Sequence, residues 1–261
     1  MNLSLTGKRA VVCGSTQGIG LAIAKELAVL GASCTLLARN ESSLKEAVEC
    51  LSATEGQQHH YLVADFSKPE ELKKAVNDYA EKEAVHILIN NTGGPASGPI
   101  TDAAEEAFLA AFQQHLICNQ ILAKAFIPSM KRNGYGRIIN IISTSVRIPL
   151  KNLGVSNTIR GAVASWAKTM ANELGAFQIT VNNVLPGATK TGRLSALVNV
   201  TAEKTGTSVE AVEQHMVAEI PMQRFADPSE VAAVAAFLAS PAASYVNGVS
   251  IPVDGGRTGS I

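Results

Sequence analysis

The chain alternates short, continuously apolar runs with longer segments in which apolar residues recur every three or four positions. Apolar residues dominate these runs and do not alternate strictly with polar ones, and this pattern is typical of strands that are buried on both faces. Strands that alternate with helices predict a parallel sheet covered by helices on both sides. The predicted strands are residues 10–13, 33–38, 61–64, 86–90, 136–142, 179–184 and 249–252.

Helical periodicity fills the intervals between these strands. In the longest helical stretch, 102–131, Phe108, Phe112, Leu116 and Phe126 keep to one face. Pro69 opens another helix, because proline is favoured at a first helical position. The other predicted helices are 21–30, 41–53, 155–174 and 228–239.

No internal repeat, low-complexity tract or linker divides the sequence. We therefore expect one doubly wound α/β domain over residues 1–261. Segment 186–221 has a mixed pattern, and its part 188–221 is a candidate substrate lid because it is long for a connection.

A glycine-rich turn lies between the first predicted strand and the first predicted helix. Glycine allows a tight turn and close approach of a ligand, and the following helix offers unpaired N–H groups to an anion. This arrangement predicts a phosphate site. The turn reads Gly14-Ser15-Thr16-Gln17-Gly18-Ile19-Gly20.

Several polar or turn residues come directly after a predicted strand. Ligands of doubly wound sheets bind at the carboxyl ends of the strands, so these residues are expected to converge on one crevice. They are Gly14, Arg39, Asp65, Asn91, Ser143 and Pro186.

Charge and composition exclude other classes of function. The formal net charge is zero, which argues against nucleic acid or an anionic membrane as a partner. No apolar run approaches the ~20 residues of a membrane span, and 1–9 lack the apolar core of a secretion signal.

The four cysteines have no paired spacing, so we expect free thiols and a cytoplasmic protein. Four of the histidines show no metal-ligand spacing, so no metal site is expected; they are His59, His60, His86 and His215.

The landmarks together resemble the short-chain dehydrogenase/reductase family along essentially the whole chain. They are Gly14-x-x-x-Gly18-Ile19-Gly20, Asn90-Asn91-Thr92-Gly93, Pro186-Gly187 with Thr191, and Val253-Asp254-Gly255-Gly256. The resemblance implies a Rossmann-like fold, a nicotinamide cofactor, a small-molecule substrate and often a homotetramer. Pairing would involve the long helix around Phe112 and the helix that carries Trp166.

The resemblance also implies a set of cofactor contacts. Arg39 follows Ala38 where an NAD enzyme would place an acid, so Arg39 is expected to pair with a 2′-phosphate. We therefore predict NADP(H) in preference to NAD(H). The expected contacts are Gly14, Ser15, Thr16, Gly18, Ile19, Gly20, Arg39, Asp65, Phe66, Asn91, Thr92, Gly93, Arg160, Pro186, Gly187 and Thr191.

At the catalytic positions the sequence departs from the family. The family's serine is present as Ser143, but its Tyr-x-x-x-Lys falls on Ser156 and Arg160, and its asparagine falls on His115. A serine hydroxyl is a much weaker acid than tyrosine, and an arginine does not readily pass a proton. Ser156 and Arg160 are four residues apart and can share one helix face.

Three hypotheses follow. The first is an NADP(H)-dependent oxidoreductase of a small carbonyl or alcohol, similar to 3-oxoacyl reductases, with a rebuilt centre. There Ser143 and Ser156 would bond the substrate oxygen, Arg160 would hold the nicotinamide ribose and a substrate anion, and His115 would be the nearest group titrating near neutral pH. The second is a non-redox isomerase or lyase, and the third is a silent nucleotide sensor. The cofactor residues favour the first two, whereas the missing tyrosine and lysine favour the last two.

Overall fold

All seven predicted strands form and pair in parallel, in the order β3-β2-β1-β4-β5-β6-β7. The computed structural model describes residues 1–260. Helices flank the sheet, so the predicted doubly wound, Rossmann-like α/β fold is confirmed. The strands are β1 (Arg9–Cys13), β2 (Ser33–Ala38), β3 (His60–Val63), β4 (Ile87–Asn90), β5 (Gly136–Ile141), β6 (Ile179–Pro186) and β7 (Ser250–Val253).

Nine α-helices connect or follow these strands within residues 1–260. They are α1 (Gly18–Val29), α2 (Glu41–Glu49), α3 (Pro69–Ala80), α4 (Glu105–Phe112), α5 (Cys118–Asn133), α6 (Gly154–Leu174), α7 (Gly192–Thr205), α8 (Val209–Ala218) and α9 (Pro228–Ala239). None of the helices in this range is long and apolar enough to cross a membrane.

The continuously apolar strands reflect two cores, one on each face of the sheet. Along β1, Ala10 and Val12 belong to the core under α1 and α9. Val11 and Cys13 point the other way, into the core that contains residues of α5 and α6. Cys13 is a buried free thiol, as the sequence predicts.

Three segments of the chain differ from their predicted structure. The helix predicted over 41–53 ends at Glu49. The predicted helix 102–131 is divided, because one turn of π-helix, Gln113–Ile117, separates α4 from α5. The mixed segment 186–221 contains α7 and α8, which the sequence analysis missed.

A ladder of buried amides crosses the carboxyl side of the sheet. Asn90 Nδ2 donates to Asn140 Oδ1 at 2.8 Å, and Asn140 Nδ2 donates to Asn183 Oδ1 at 2.9 Å. Asn183 Nδ2 then donates to Ser250 Oγ at 3.0 Å. These residues are paired across β4, β5, β6 and β7, so the ladder is available only when those strands keep this register.

Candidate active site

The glycine turn after β1 is packed too closely for side chains. Gly14 and Gly18 have φ angles of 57° and 56°, a region that favours glycine. A Cβ on Gly20 would lie 2.1 Å from Gly14 O, and one on Gly14 would lie 2.6 Å from Asn91 O. The Asn91 amide donates to Cys13 O at 3.2 Å and to Gly14 O at 3.1 Å. The ends of β1 and β4 are therefore fixed against each other.

The start of α1 fits the pyrophosphate of a dinucleotide. Its N-cap residue, Gln17, makes no side-chain capping bond, and the first turn holds no acidic residue. Ser15 Oγ is buried and has no hydrogen-bond partner among residues 1–260. Helix N–H groups, the positive end of the dipole and an unpaired hydroxyl suit an anion at this position. Thr16 and Ile19 lie in the same turn.

Arg39 and Asp65 lie at the carboxyl ends of the neighbouring strands β2 and β3. Arg39 is exposed, and within residues 1–260 its side chain forms no ion pair or hydrogen bond. Asp65 Oδ1 accepts from Ser67 N at 2.9 Å. Hydrogen bonding by Ser67, more than the charge of Arg39, holds the pKa of Asp65 below its ordinary value. Asp65 is thus ionised at neutral pH, and the adjacent Phe66 packs against the core.

The residues after β4 and β6 also lie beside the turn. Gly93 has open space where a Cβ would be, whereas a Cβ on Gly187 would lie 2.7 Å from Asp254 Cβ. Gly187 is therefore required for packing against the residues that follow β7. Thr191 caps α7 through a bond from Leu194 N, and its methyl group lies 3.2 Å from the Cβ position of Gly18.

Arg160 is the buried cation of the crevice, with only 8% of its surface exposed. Its Nη1 donates to Ile141 O at 2.9 Å, and its Nη2 donates to Thr92 O at 3.3 Å. Arg160 thereby joins the ends of β4 and β5. Burial, with a smaller effect of Arg193, lowers the pKa of Arg160 to about 10, so it stays protonated at neutral pH.

His115 lies in the π-helical turn and is 2% exposed. Its Nδ1 forms a short hydrogen bond with Thr92 Oγ1, and its Nε2 has no partner among residues 1–260. Burial, assisted by the positive charge of Arg160, lowers the pKa of His115 to about 3. The expectation that His115 titrates near neutral pH is therefore wrong, because desolvation disfavours the imidazolium. The imidazole is a neutral hydrogen-bonding group.

Ser143 and Ser156 supply hydroxyl groups from two elements. Ser143 follows β5, and its Oγ accepts from Ser145 N at 3.1 Å. Ser156 lies one turn before Arg160 on α6 and is partly buried. Within residues 1–260 the Ser156 side chain forms no hydrogen bond, so its hydroxyl is free to meet a ligand.

Arg193 is a residue of the site that the sequence analysis missed. It lies in the first turn of α7, is exposed, and its Nη2 donates to Pro95 O at 2.6 Å. A cation in the first turn of a helix opposes the helix dipole. An arginine at this unfavourable position, two residues after Thr191, is the sequence signal that could have identified Arg193 as a site residue.

No three histidine, cysteine, aspartate or glutamate side chains of residues 1–260 are grouped so that they can hold a metal ion.

Comparisons with known proteins agree with this geometry. The sequence matches the family model described as enoyl-(acyl carrier protein) reductase over residues 14–258. It is 30% identical over 259 residues to the NADPH-dependent reductase BacG of Bacillus subtilis (strain 168), with 98% of this chain and 100% of the relative covered. It is 33% identical over 259 residues to the 3-oxoacyl-[acyl-carrier-protein] reductase FabG of Vibrio cholerae, with 97% of this chain and 98% of the relative covered.

A solved structure of L-sorbose reductase from Gluconobacter frateurii, complexed with NADPH and L-sorbose, superimposes with a TM-score of 0.93 at 31% identity, and both chains are covered completely. The likeness therefore extends over the glycine turn, the sheet and the carboxyl-terminal strand together. By sequence and by fold, the chain belongs to the short-chain dehydrogenase/reductase family of oxidoreductases.

Proposed function

We propose that this protein is an NADP(H)-dependent oxidoreductase that reduces a small carbonyl compound or oxidises the corresponding alcohol. The unpaired guanidinium of Arg39 supports the preference for NADP(H), because a 2′-phosphate supplies the anion that this side chain lacks. BacG is named as an NADPH-dependent reductase, and the L-sorbose reductase structure contains NADPH.

The observation that carries the proposal of an active site is the bonding of Arg160. We assign Arg160 to the family's lysine position, Ser156 to its tyrosine position and His115 to its asparagine position. A position that had merely lost its function would not need a buried cation held by two carbonyl oxygens, Ile141 O and Thr92 O. Burial of such a charge is costly unless it is used or compensated.

The nicotinamide, when bound, supplies or accepts the hydride. Arg160 has five N–H donors, and the two bonds to carbonyl oxygens leave others for the ribose hydroxyls and for charge on the substrate oxygen. Ser143 and Ser156 donate hydrogen bonds to that oxygen, which stabilises the negative charge that develops there. Neither His115 nor Arg160 is an acid near pH 7. The proton therefore reaches the oxygen from solvent through a serine hydroxyl.

The test is NADPH turnover against a broad panel of carbonyl compounds, with NADPH affinity measured in parallel by calorimetry. We expect turnover by the unmutated protein and loss of it in the double variant Ser156→Tyr with Arg160→Lys, because a bulky tyrosine would displace the substrate from a rebuilt centre. New ketone reduction by the double variant, from a silent background, would show a decayed centre instead.

One observation favours a second candidate, a nucleotide sensor without turnover. Ser143, Ser156, Arg160 and His115 include no group that releases a proton easily near neutral pH. Tight NADPH binding with no turnover across the panel would support this candidate and contradict the oxidoreductase.

We also propose that the protein is a homotetramer or at least a dimer. Three large apolar side chains of α4 and the π-helical turn are exposed, namely Leu109 at 70%, Phe112 at 41% and Ile117 at 40%. Burial against a second copy would remove this surface from water. A monodisperse monomer at micromolar concentration in light scattering would contradict the proposal.

A further inference from the structure

Two guanidinium groups from different helices meet at the loop that follows β4. Arg160 comes from the middle of α6, and Arg193 comes from the first turn of α7. A Cβ on Gly94 would lie 3.5 Å from Arg193 Nη2 and 3.8 Å from Arg160 Nη2. The two positive groups are therefore neighbours across a glycine that leaves the space between them free of a side chain.

Neither guanidinium has an anionic partner in the described part of the chain. No carboxylate oxygen of residues 1–260 lies within 4.0 Å of Arg160 or Arg193. Their bonds go to the neutral carbonyl oxygens of Ile141, Thr92 and Pro95. Two like charges at close range repel each other, and the α7 dipole adds to the penalty for Arg193. An anion bound between them would remove this repulsion.

Neutral polar groups lie beside the pair. Thr92 contacts both Arg160, through its carbonyl oxygen, and His115, through its hydroxyl. His115 Nε2 is a buried polar atom with no partner among residues 1–260, on a side chain that is 2% exposed. Buried polar atoms are normally hydrogen-bonded, so this atom points to a polar ligand in the same part of the crevice.

We propose that Arg160 and Arg193 form a subsite for the carboxylate of the substrate, which is therefore an oxo acid or the corresponding hydroxy acid. This inference rests on the proposed oxidoreductase function. Arginine pairs with carboxylate through two parallel hydrogen bonds, which also orients the ligand. Arg160 is buried and fixed, whereas Arg193 is exposed on the segment 188–221, so Arg193 contacts the anion from the solvent side.

The phosphates of the cofactor are a second possible source of the anion. They have their own donors at the start of α1 and at Arg39, whereas the arginine pair lies at Gly94, beyond the Asn91 side chain that packs on the glycine turn. A substrate carboxylate is therefore the better occupant, and the experiment separates the two.

The first measurement compares α- and β-oxo carboxylates with their primary amides as substrates, with NADPH as reductant. We expect kcat/KM to be about ten- to a hundredfold higher for each carboxylate than for its amide. Arg193→Ala is expected to abolish most of this preference through KM, and Arg193→Lys to restore part of it. Lys204→Ala removes a charge from the last turn of the same helix and is the matched control, with the preference unchanged. Equal rates for acids and amides in the unmutated protein would overturn the proposal.

The second measurement does not depend on turnover. Binding of the same carboxylates to the NADP⁺-loaded protein is followed by calorimetry, and the NADPH Kd is measured for each variant. The proposal is supported if Arg193→Ala weakens carboxylate binding about tenfold or more and leaves the NADPH Kd within about twofold of its unmutated value. This result would support the subsite even if no compound is turned over. In that case only the oxidoreductase proposal would fail. An NADPH Kd that weakens by the same factor as carboxylate binding would assign the pair to the cofactor phosphates and overturn the proposal.

Discussion

The cofactor side and the substrate side of the crevice are specified by different parts of the chain. On the cofactor side, backbone geometry decides the fit, because Gly14 and Gly20 leave no room for a Cβ and the start of α1 leaves its N–H groups free. On the substrate side, side chains decide it, because Arg160, Thr92 and His115 form a buried network. Side chains can be exchanged without altering the backbone around a nucleotide. The chemistry of such a protein can therefore change while its cofactor site does not.

The largest effect should come from a methyl group placed on the cofactor side. Gly20→Ala puts a Cβ 2.1 Å from Gly14 O, and relieving that overlap must move the turn. We expect NADPH binding to weaken by about a thousandfold or more, several kcal/mol, in isothermal titration calorimetry. Gly98→Ala is the control, because a Cβ there meets no atom within 4 Å. Normal affinity in Gly20→Ala would show that the backbone does not define this site.

On the substrate side, Arg160→Ala should separate chemistry from binding. Removing the cation that faces the developing oxyanion is expected to lower kcat about a hundredfold, whereas the NADPH Kd should change by less than about tenfold. Arg132→Ala, at the exposed end of α5, controls for loss of one positive charge. If kcat is unchanged and only the Kd rises, Arg160 serves the cofactor side alone.

Arg39→Ala tests the part of the cofactor side that we expect to bind the 2′-phosphate. The pair with a 2′-phosphate should contribute about 1.5–3 kcal/mol, so the preference for NADPH over NADH should fall about ten- to a hundredfold. Fluorescence titration with both nucleotides measures it, and the NADH Kd is the internal control. Equal affinities for the two nucleotides in the unmutated protein would refute the assignment.

The remaining effect concerns stability instead of binding or turnover, and it is a pH dependence that originates on the substrate side. With a pKa of about 3 in the folded state against an ordinary 6.5, His115 binds fewer protons in the folded than in the unfolded protein between those pH values. The free energy of unfolding should therefore rise with pH across that window, by at most about 1.4 kcal/mol per pH unit from this group.

His115→Asn should remove this contribution, which urea unfolding at a series of pH values can detect. The pH profile of kcat between pH 5 and 8 should keep its shape in the same variant, because the imidazole is already neutral there. If kcat of the unmutated protein changes with a pKa in that range, and this change disappears in His115→Asn, then His115 does titrate near neutral pH.

The cofactor side and the substrate side also differ in how much of their structure can be predicted from the sequence. The strands and the glycine turn are predictable because two-sided burial and backbone strain restrict residue type at each position. Helices α7 and α8 were missed because they bury few residues, among them Val198, Ala202 and Val212, so their apolar pattern is weak.

End signals for these two helices were present in the sequence. Thr191 and Ser208 cap α7 and α8, and Gly206, with φ of 67°, ends α7. The division of the predicted helix 102–131 at the π turn and the low pKa of His115 depend on three-dimensional packing. No periodicity along the chain reports either of them.

The amide ladder has a consequence for recombining this chain with its relatives. Its members, Asn90, Asn140, Asn183 and Ser250, all lie from β4 onward, and in β1 the apolar residue Val12 is paired with Ile89 just before Asn90. A crossover placed between α3 and β4 would take the whole ladder from one parent. A crossover between β4 and β7 would join amides from two parents, and each mismatch would leave a buried donor or acceptor unpaired. Cofactor preference should therefore be transferable between family members by exchange of the part of the chain before β4. Substrate preference should be transferable only if β4 to β7, which carry the amide ladder, are exchanged together.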